Sequence, residues 1–207
     1  MRKAFIFTVL IFAASILSAQ ETQLVTGWKA IKASDLGSDG CLITKDDPDF
    51  SGWMNATVPG TVLTTLLNNG LIPDPLYGMN NEKIPDVYKE GRDLYTYWFF
   101  NRFSTEGMDS TRQVWLKFRG INYFADIYLN GRRISTDRHE GMFLRRMYNI
   151  TPYLNSAGVN RLAVLVEPPA NPGNPNGGQG GDGTIGRDVT MQFTAGWDWI
   201  QPVRDRN

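Results

Sequence analysis

A carboxylate between two indole rings is the feature of this sequence best suited to chemistry. Asp198 lies between Trp197 and Trp199, near the end of the 207-residue chain. Sugar rings present apolar faces to aromatic side chains, and their hydroxyl groups donate hydrogen bonds to a carboxylate, so this triplet suits a saccharide. The alternative is that the tryptophans belong to the core and Asp198 caps a turn. The residue types alone leave both interpretations open.

Other catalytic side chains are scarce. His139 is the only histidine and Cys41 the only cysteine, so the sequence shows no zinc cluster and no internal disulfide, and no nucleophile motif accompanies His139. We expect His139, beside Glu140, to be solvated. Acidic residues are plentiful, but a glycosidase needs two carboxyl groups at a defined separation, which sequence spacing does not reveal. We predict no metal site and no cofactor.

The charge balance and the N-terminus restrict the compartment and the partners. Lys plus Arg and Asp plus Glu both number 21, so no charge excess favours nucleic acid or a membrane surface. Residues 1–19 have a basic start, an apolar run and a final Leu17-Ser18-Ala19, which predicts a signal peptide removed before Gln20. A membrane anchor is the alternative, but the run is shorter than the ~20 residues of a spanning helix. We predict export to the periplasm or the extracellular space.

The elements that must position such a site are mostly β-strands. Apolar and polar residues alternate from 113 to 134, which places alternate side chains on opposite faces of a strand. Asn130-Gly131 supplies the left-handed backbone of a type I′ hairpin turn. The side chains expected to face the core are Ile121, Tyr123, Ala125, Ile127 and Leu129. Further strands are predicted at residues 24–33, 53–58, 94–103, 141–148, 161–167 and 189–199.

The remaining segments are predicted to be loops and single turns. A polar Asp-rich loop separates the first two strands, Thr61 caps a short helix that Gly70 ends, and residues 150–154 form one turn. Residues 71–93 form a long ordered loop, of a kind more often functional than accidental.

Residues 168–188 are rich in Pro and Gly. Gly178, Gly180 and Gly183 have the spacing of a dinucleotide-binding fingerprint. A Pro-Asn tract precedes them and no helix pattern follows, so we interpret this stretch as a surface loop. Many short strands without a long amphipathic helix predict an all-β sandwich.

Several motifs together resemble a known family. Three of them are FRGINYFADIYLNGRRI, GMFLRRMYNITPYL and GVNRLAVLVEPP, and they resemble the N-terminal sugar-binding domain of glycoside hydrolase family 2. VPGTVLTTLLNNGLIPDPLYGMNN and YTYWFFNRF are similar to its β-mannosidase and exo-β-glucosaminidase branch. GGQGGDGTIGRDVTMQFTAGWDWIQPVRDRN is most similar to mannosylglycoprotein endo-β-mannosidases. The resemblance runs from about Trp28 to Asn207.

The resemblance implies a jelly-roll sandwich, similar to galactose-binding domains, over residues 20–207. An immunoglobulin-like domain and a (β/α)₈ barrel would follow, and both catalytic glutamates belong to that barrel, so no catalytic residue is expected here. In β-mannosidases the pair that matches Trp197 and Asp198 contacts the terminal sugar. The family's usual residues around this motif are replaced by Val189-Thr190 before it and Ile200-Gln201-Pro202 after it, which argues against simple exo-mannosidase specificity.

The sequence therefore predicts the N-terminal, non-catalytic domain of an exported retaining β-glycosidase, truncated before its later domains. Its substrate would be a β-mannoside or β-glucosaminide, and its partners that glycan and the catalytic barrel of the same polypeptide. Residues 71–93 and the Gly-rich residues 173–186 are expected near the sugar pocket. The alternatives are a free-standing carbohydrate-binding module, the same domain of a β-galactosidase, and a purely structural interaction domain.

Overall fold

A computed structural model describes residues 20–37, 39–155, 158–173, 183–188 and 190–191. The strands of these ranges are β1 Lys29–Lys32, β2 Met54–Asn55, β3 Tyr97–Ser104, β4 Trp115–Phe118, β5 Phe124–Leu129, β6 Arg132–Arg133, β7 His139–Glu140, β8 Arg146–Asn149 and β9 Val159–Glu167. The helices are α1 Ala33–Leu36, α2 Gly40–Lys45, α3 Val62–Asn68 and α4 Val87–Glu90, with 3₁₀ turns at Asn80–Lys83, Arg92–Tyr95 and Thr151–Tyr153. None of the helices in these ranges has the length and apolarity to cross a membrane.

The described strands form two antiparallel sheets. Seven of them make the larger sheet, in the order β2-β1-β3-β9-β5-β6 with β7 also paired to β5, and β4 pairs with β8 in the smaller sheet. Strand β9 lies at the centre because it pairs with β3 on one side and with β5 on the other. Side chains of the smaller sheet pack against the core of the larger one. The prediction of a mostly β fold is confirmed.

The hairpin turn between β5 and β6 has the predicted geometry. Leu129 pairs with Arg132, and the two residues between them, Asn130 and Gly131, have φ angles of 50° and 80°. Positive φ at both central positions is what a type I′ turn requires. The Asn130 side chain also accepts a hydrogen bond from the Arg161 backbone N–H at 2.8 Å, which ties the turn to β9.

The main core lies between the two sheets. Ala125, Ile127 and Leu129 are fully buried, which confirms the predicted inward face of β5. They pack in one cluster with alternate residues of β3 and β9 and with the inner side of the smaller sheet. That inner side contributes the apolar side chains of Leu116, Phe118 and Tyr148.

The alternating stretch 113–134 is divided between the two sheets rather than forming one. Its first half is β4 in the smaller sheet, and its second half begins β5 in the larger sheet. The chain changes sheets in the irregular residues 119–123, which include Gly120. From the sequence, this stretch is predicted to be the core of one antiparallel sheet. A period of two is the same in either sheet, so the alternation was correctly predicted and the single sheet was not.

The prediction of a polar loop after β1 is wrong, because α1 and α2 lie in this segment. Asp39 caps α2 by accepting the Cys41 N–H at 2.9 Å. A Cβ on Gly40 would lie 2.3 Å from the Tyr128 ring, so α2 approaches the larger sheet at a position that requires glycine. These helices are too short to show a helical period, and their many polar residues hid the few that pack inward.

This segment covers the second face of the larger sheet. Ile43, Phe50 and Trp53 pack there against Trp98 and Phe100. Strands β3 and β9 are consequently covered on both faces.

The other predicted elements are present with shifted boundaries. Thr61 caps α3 by accepting the Thr64 N–H at 3.0 Å, and Gly70 has a φ of 69° just after the helix. Strands β1, β2, β3 and β8 are shorter than predicted, whereas β9 begins at Val159, before its predicted start. The predicted loop 71–93 contains α4 and the 3₁₀ turn Asn80–Lys83, and the turn Arg92–Tyr95 begins at its end.

Candidate functional site

Trp197 and Asp198, the predicted substrate-binding residues, lie outside the described residues, as does most of the predicted strand 189–199. Gly178 and Gly180 also lie outside them. The site is therefore built from the two segments that were expected beside the sugar pocket, 71–93 and the Gly-rich stretch.

These two segments meet at a cleft of about 350 Å³. Val87, Tyr88, Gly91 and Arg92 line one wall, and described residues on both sides of the Gly-rich stretch line the other. A cavity of this volume is in the range of small-molecule sites. Residues almost a hundred positions apart thus contribute to one concave surface.

A hydrogen-bonded neck brings the two ends of the Gly-rich stretch together. The Asn171 N–H donates to an Asp188 carboxylate oxygen at 2.7 Å, and the Arg187 guanidinium donates to the Asn171 side-chain oxygen at 2.6 Å. Gly173 has a φ of 69°, and a Cβ there would lie 2.3 Å from the Gly186 nitrogen. Glycine is required at this position both for its φ and for the close approach of two backbones.

Arg92 anchors the first wall to the end of β9. Its Nε donates to the Pro168 carbonyl at 3.0 Å, and one terminal nitrogen donates to Glu167 Oε2 at 3.1 Å. Its guanidinium lies 5.0 Å from the centre of the Phe124 ring, and Arg138, which also pairs with Glu167, lies 4.8 Å from the same ring. Sequence reasoning missed Arg92, because no local pattern marks a partner 75 residues away.

The cleft combines apolar side chains, one aromatic ring and a few hydrogen-bonding groups. Tyr88 is 43% exposed, and the lining side chains include the guanidinium groups of Arg92 and Arg187 but, among the described residues, no carboxylate. Such a surface can bind the oxygens of a sugar.

His139 is buried, which contradicts the expected solvated position. Its side chain is fully inaccessible, and Nε2 lies 3.1 Å from the Ile121 carbonyl oxygen and 2.9 Å from that of Gly141. Both neighbours are acceptors, so Nε2 is the protonated nitrogen. The burial follows from β7, which pairs His139 with Ala125 on the larger sheet. In the described ranges no three His, Cys, Asp or Glu side chains are placed to hold a metal ion.

Comparison with known proteins identifies the family. Residues 31–205 match the model described as glycosyl hydrolase 2 galactose-binding domain-like. The chain belongs to this family, which confirms the resemblance seen in the sequence. The mostly β architecture described above is consistent with such a domain.

Its relatives are enzymes of the β-mannosidase and exo-β-glucosaminidase kind. The chain is 49% identical to a mannosylglycoprotein endo-beta-mannosidase of Lilium longiflorum, over 89% of this chain and 20% of that protein. It is 28% identical to an exo-beta-D-glucosaminidase of Streptomyces avermitilis, over 92% of this chain and 18% of that protein. The solved beta-D-mannosidase of Dictyoglomus thermophilum is 28% identical with a TM-score of 0.60, over 87% of this chain and 20% of that one. The chain spans about a fifth of the length of these relatives.

Proposed function

We propose that this chain is the N-terminal, non-catalytic domain of an exported retaining β-glycosidase that acts on β-mannoside or β-glucosaminide bonds in glycans. Residues 1–19 are removed as a signal peptide. Residues 20–207 form a jelly-roll sandwich that packs on the catalytic barrel of the same polypeptide and lines one side of its sugar pocket. Trp197 and Asp198 contact the sugar there.

The meeting of two separate segments at one cleft is the observation that supports this proposal. Residues 71–93 and 173–186 were each expected beside the pocket, and members of both segments line one concave surface together with Ala170, Asn171, Pro172 and Arg187. Arg92, Asn171 and Arg187 present polar groups there. Because the described lining contains no carboxylate, this domain supplies binding groups, and the acid and the nucleophile come from another domain.

The first test is whether the chain hydrolyses glycosides by itself. We expect the purified 207-residue protein to show no turnover of aryl β-mannosides, β-glucosaminides or β-galactosides. We expect turnover when the same residues are expressed within the longer reading frame. Activity that stays with the isolated chain through further purification would refute a non-catalytic role.

Asp198→Asn, in the longer enzyme, tests the binding role of the Trp-Asp pair. The substitution keeps the side-chain shape but removes the charge-assisted hydrogen bond to a sugar hydroxyl, which is worth about 1.5–3 kcal/mol. We expect kcat/KM to fall by roughly one to two decades, with an unchanged melting temperature. Asp35→Asn, an exposed position in α1, is the matched control and should change neither quantity.

The two roles considered for Asp198 predict opposite results. If Asp198 caps a turn, its replacement lowers the melting temperature and leaves the activity per folded molecule intact. That outcome would remove Asp198 from the substrate site without affecting the assignment of the domain.

A further inference from the structure

The smaller sheet has an outward face that its packing leaves in contact with solvent. Trp115 on β4 is 50% exposed and Met147 on β8 is 57% exposed, whereas Leu116 and Tyr148, their sequence neighbours, pack towards the core. A tryptophan exposed on a sheet whose other face is already buried contributes little to folding. Exposed large apolar side chains of this kind are typical of binding surfaces.

Register places polar groups beside the two apolar side chains. Trp115 pairs with Asn149 and Lys117 pairs with Met147. Because side chains alternate along each strand, these four share the outward face. The face therefore combines an aromatic ring, a thioether, an amide and an ammonium group.

Two further cations extend the outward face at one end of the ladder. Arg119 directly follows β4 and Arg145 directly precedes β8, at the end where Phe118 pairs with Arg146, and both are exposed. Arg119 forms an ion pair with Glu21 at 3.1 Å, between two exposed side chains. Within the described residues, no acidic side chain pairs with Lys117 or Arg145.

This concentration of positive charge contrasts with the chain as a whole, which has 21 basic and 21 acidic residues. Like charges gathered on one strand pair repel one another and lower stability. A local basic surface attracts an anionic partner. A duplex nucleic acid normally selects a domain with overall basic charge, which this chain lacks. An acidic polysaccharide has a lower charge density, and its rings have apolar faces that stack on indole.

We propose that the outward face, formed by Trp115, Lys117, Arg119, Arg145, Met147 and Asn149, binds an acidic polysaccharide. A sugar ring stacks on Trp115, and carboxylates of the polymer pair with the cations. The Asn149 side-chain oxygen already accepts the Thr151 N–H at 3.1 Å, so its amide nitrogen donates to a sugar hydroxyl oxygen. The outward face shares no residue with the cleft. Binding at the outward face would hold the protein on a polysaccharide. This role is independent of which glycosidic bond the enzyme hydrolyses.

Affinity electrophoresis of the 207-residue chain in gels that contain polygalacturonate tests this proposal. Gels with neutral β-mannan, and binding to duplex DNA, serve as comparators. We expect retardation by polygalacturonate, and a Kd that rises about tenfold or more between about 50 and 200 mM NaCl because around three cations take part. Trp115→Ala should weaken binding about tenfold through lost stacking. The double variant Lys117→Gln/Arg145→Gln should weaken it at least as much.

A charge-matched double variant, Lys89→Gln/Arg132→Gln, controls for net charge, because both residues are exposed outside the outward face. It should bind polygalacturonate like the parent chain, and no variant should melt below the parent. Four results would overturn the proposal: no retardation by polygalacturonate, equal losses in both double variants, equal affinity for neutral mannan, or equal or tighter binding of DNA.

Discussion

Strand β9 is held in two different ways along its length. In its middle, Leu162 and Ala163 are fully buried and belong to opposite core clusters, so apolar side chains cover both faces. At its end, Glu167 and the following Pro168 are held by the guanidinium of Arg92, and the Arg92 and Glu167 side chains are 32% and 19% exposed. One strand thus passes from an apolar core into a polar, partly solvated anchor beside the cleft.

The two modes of attachment have different energetic consequences. Fully burying one aliphatic side chain contributes about 1.5–3 kcal/mol, and loss of the core unfolds the whole domain. A partly exposed ion pair contributes roughly 1 kcal/mol or less, so the cleft opens locally before the core does. We expect substitutions to cause global unfolding at the core and local changes at the cleft.

Ile127→Asp should have the largest effect. Ile127 is fully buried and pairs with Val164 of β9, so the variant places an unpaired charge between the sheets. The cost is several kcal/mol, comparable with total stability, and we expect no folded protein by circular dichroism. Arg132→Ala, just past the hairpin turn, should change stability by about 0.5 kcal/mol or less. Equal thermal shifts for the two variants would show that the assigned core face is wrong.

Gly173→Ala should have an intermediate effect that is confined to the neck. A residue with a Cβ destabilises the folded state by about 1–2 kcal/mol when its φ is positive. The Cβ of Ala at this position would also clash with the Gly186 backbone. Gly52→Ala is the matched control, since Gly52 has a φ of 77° with open space around its Cβ position. We expect the Gly173 variant to melt lower than the control and to be cleaved faster by protease next to the Gly-rich stretch. Identical cleavage rates would show that the neck does not close this stretch.

Asp47→Asn should have the smallest effect, and one that depends on pH. Asp47 accepts from Arg161 of β9 at 2.7 Å and from Arg102 of β3 at 3.2 Å. The hydrogen bond from Arg161, with the positive charge of both arginines, lowers the pKa of Asp47 below its usual value. A depressed folded-state pKa stabilises the protein above the unfolded pKa of about 4, and this stabilisation is lost as pH falls through the folded value.

The expected difference in melting temperature between parent and Asp47→Asn follows from that sign. At pH 7 the free energy of unfolding of the variant should be lower than the parent's by roughly 0.2–1 kcal/mol, the contribution of an exposed ion pair. Its melting temperature should fall accordingly. The difference should shrink as pH falls below about 4, because the parent carboxylate is then protonated too. A difference in melting temperature that grows as the pH falls below about 4 would contradict the assigned direction of the Asp47 pKa shift.

The elements predicted correctly are those whose signal lies within a few neighbouring residues. Alternation from Tyr123 to Leu129 identified the buried face of β5, Asn130-Gly131 its turn, and Thr61 with Gly70 the ends of α3. Each rests on backbone geometry or on a period of two, which a short window of sequence contains. The family motifs were recognised for the same reason, because each lies within a short stretch of sequence, and together they span most of the chain.

The tertiary structure decided everything that depends on partners far apart in the chain. It divided residues 113–134 between two sheets, covered the larger sheet with α1 and α2, and buried His139 against β5. It also joined Arg92 to Glu167 beside the cleft. A period of two does not state which sheet a strand joins, and a charged residue does not indicate its partner 75 positions away. These choices follow from burying apolar surface and satisfying polar groups over the whole molecule at once.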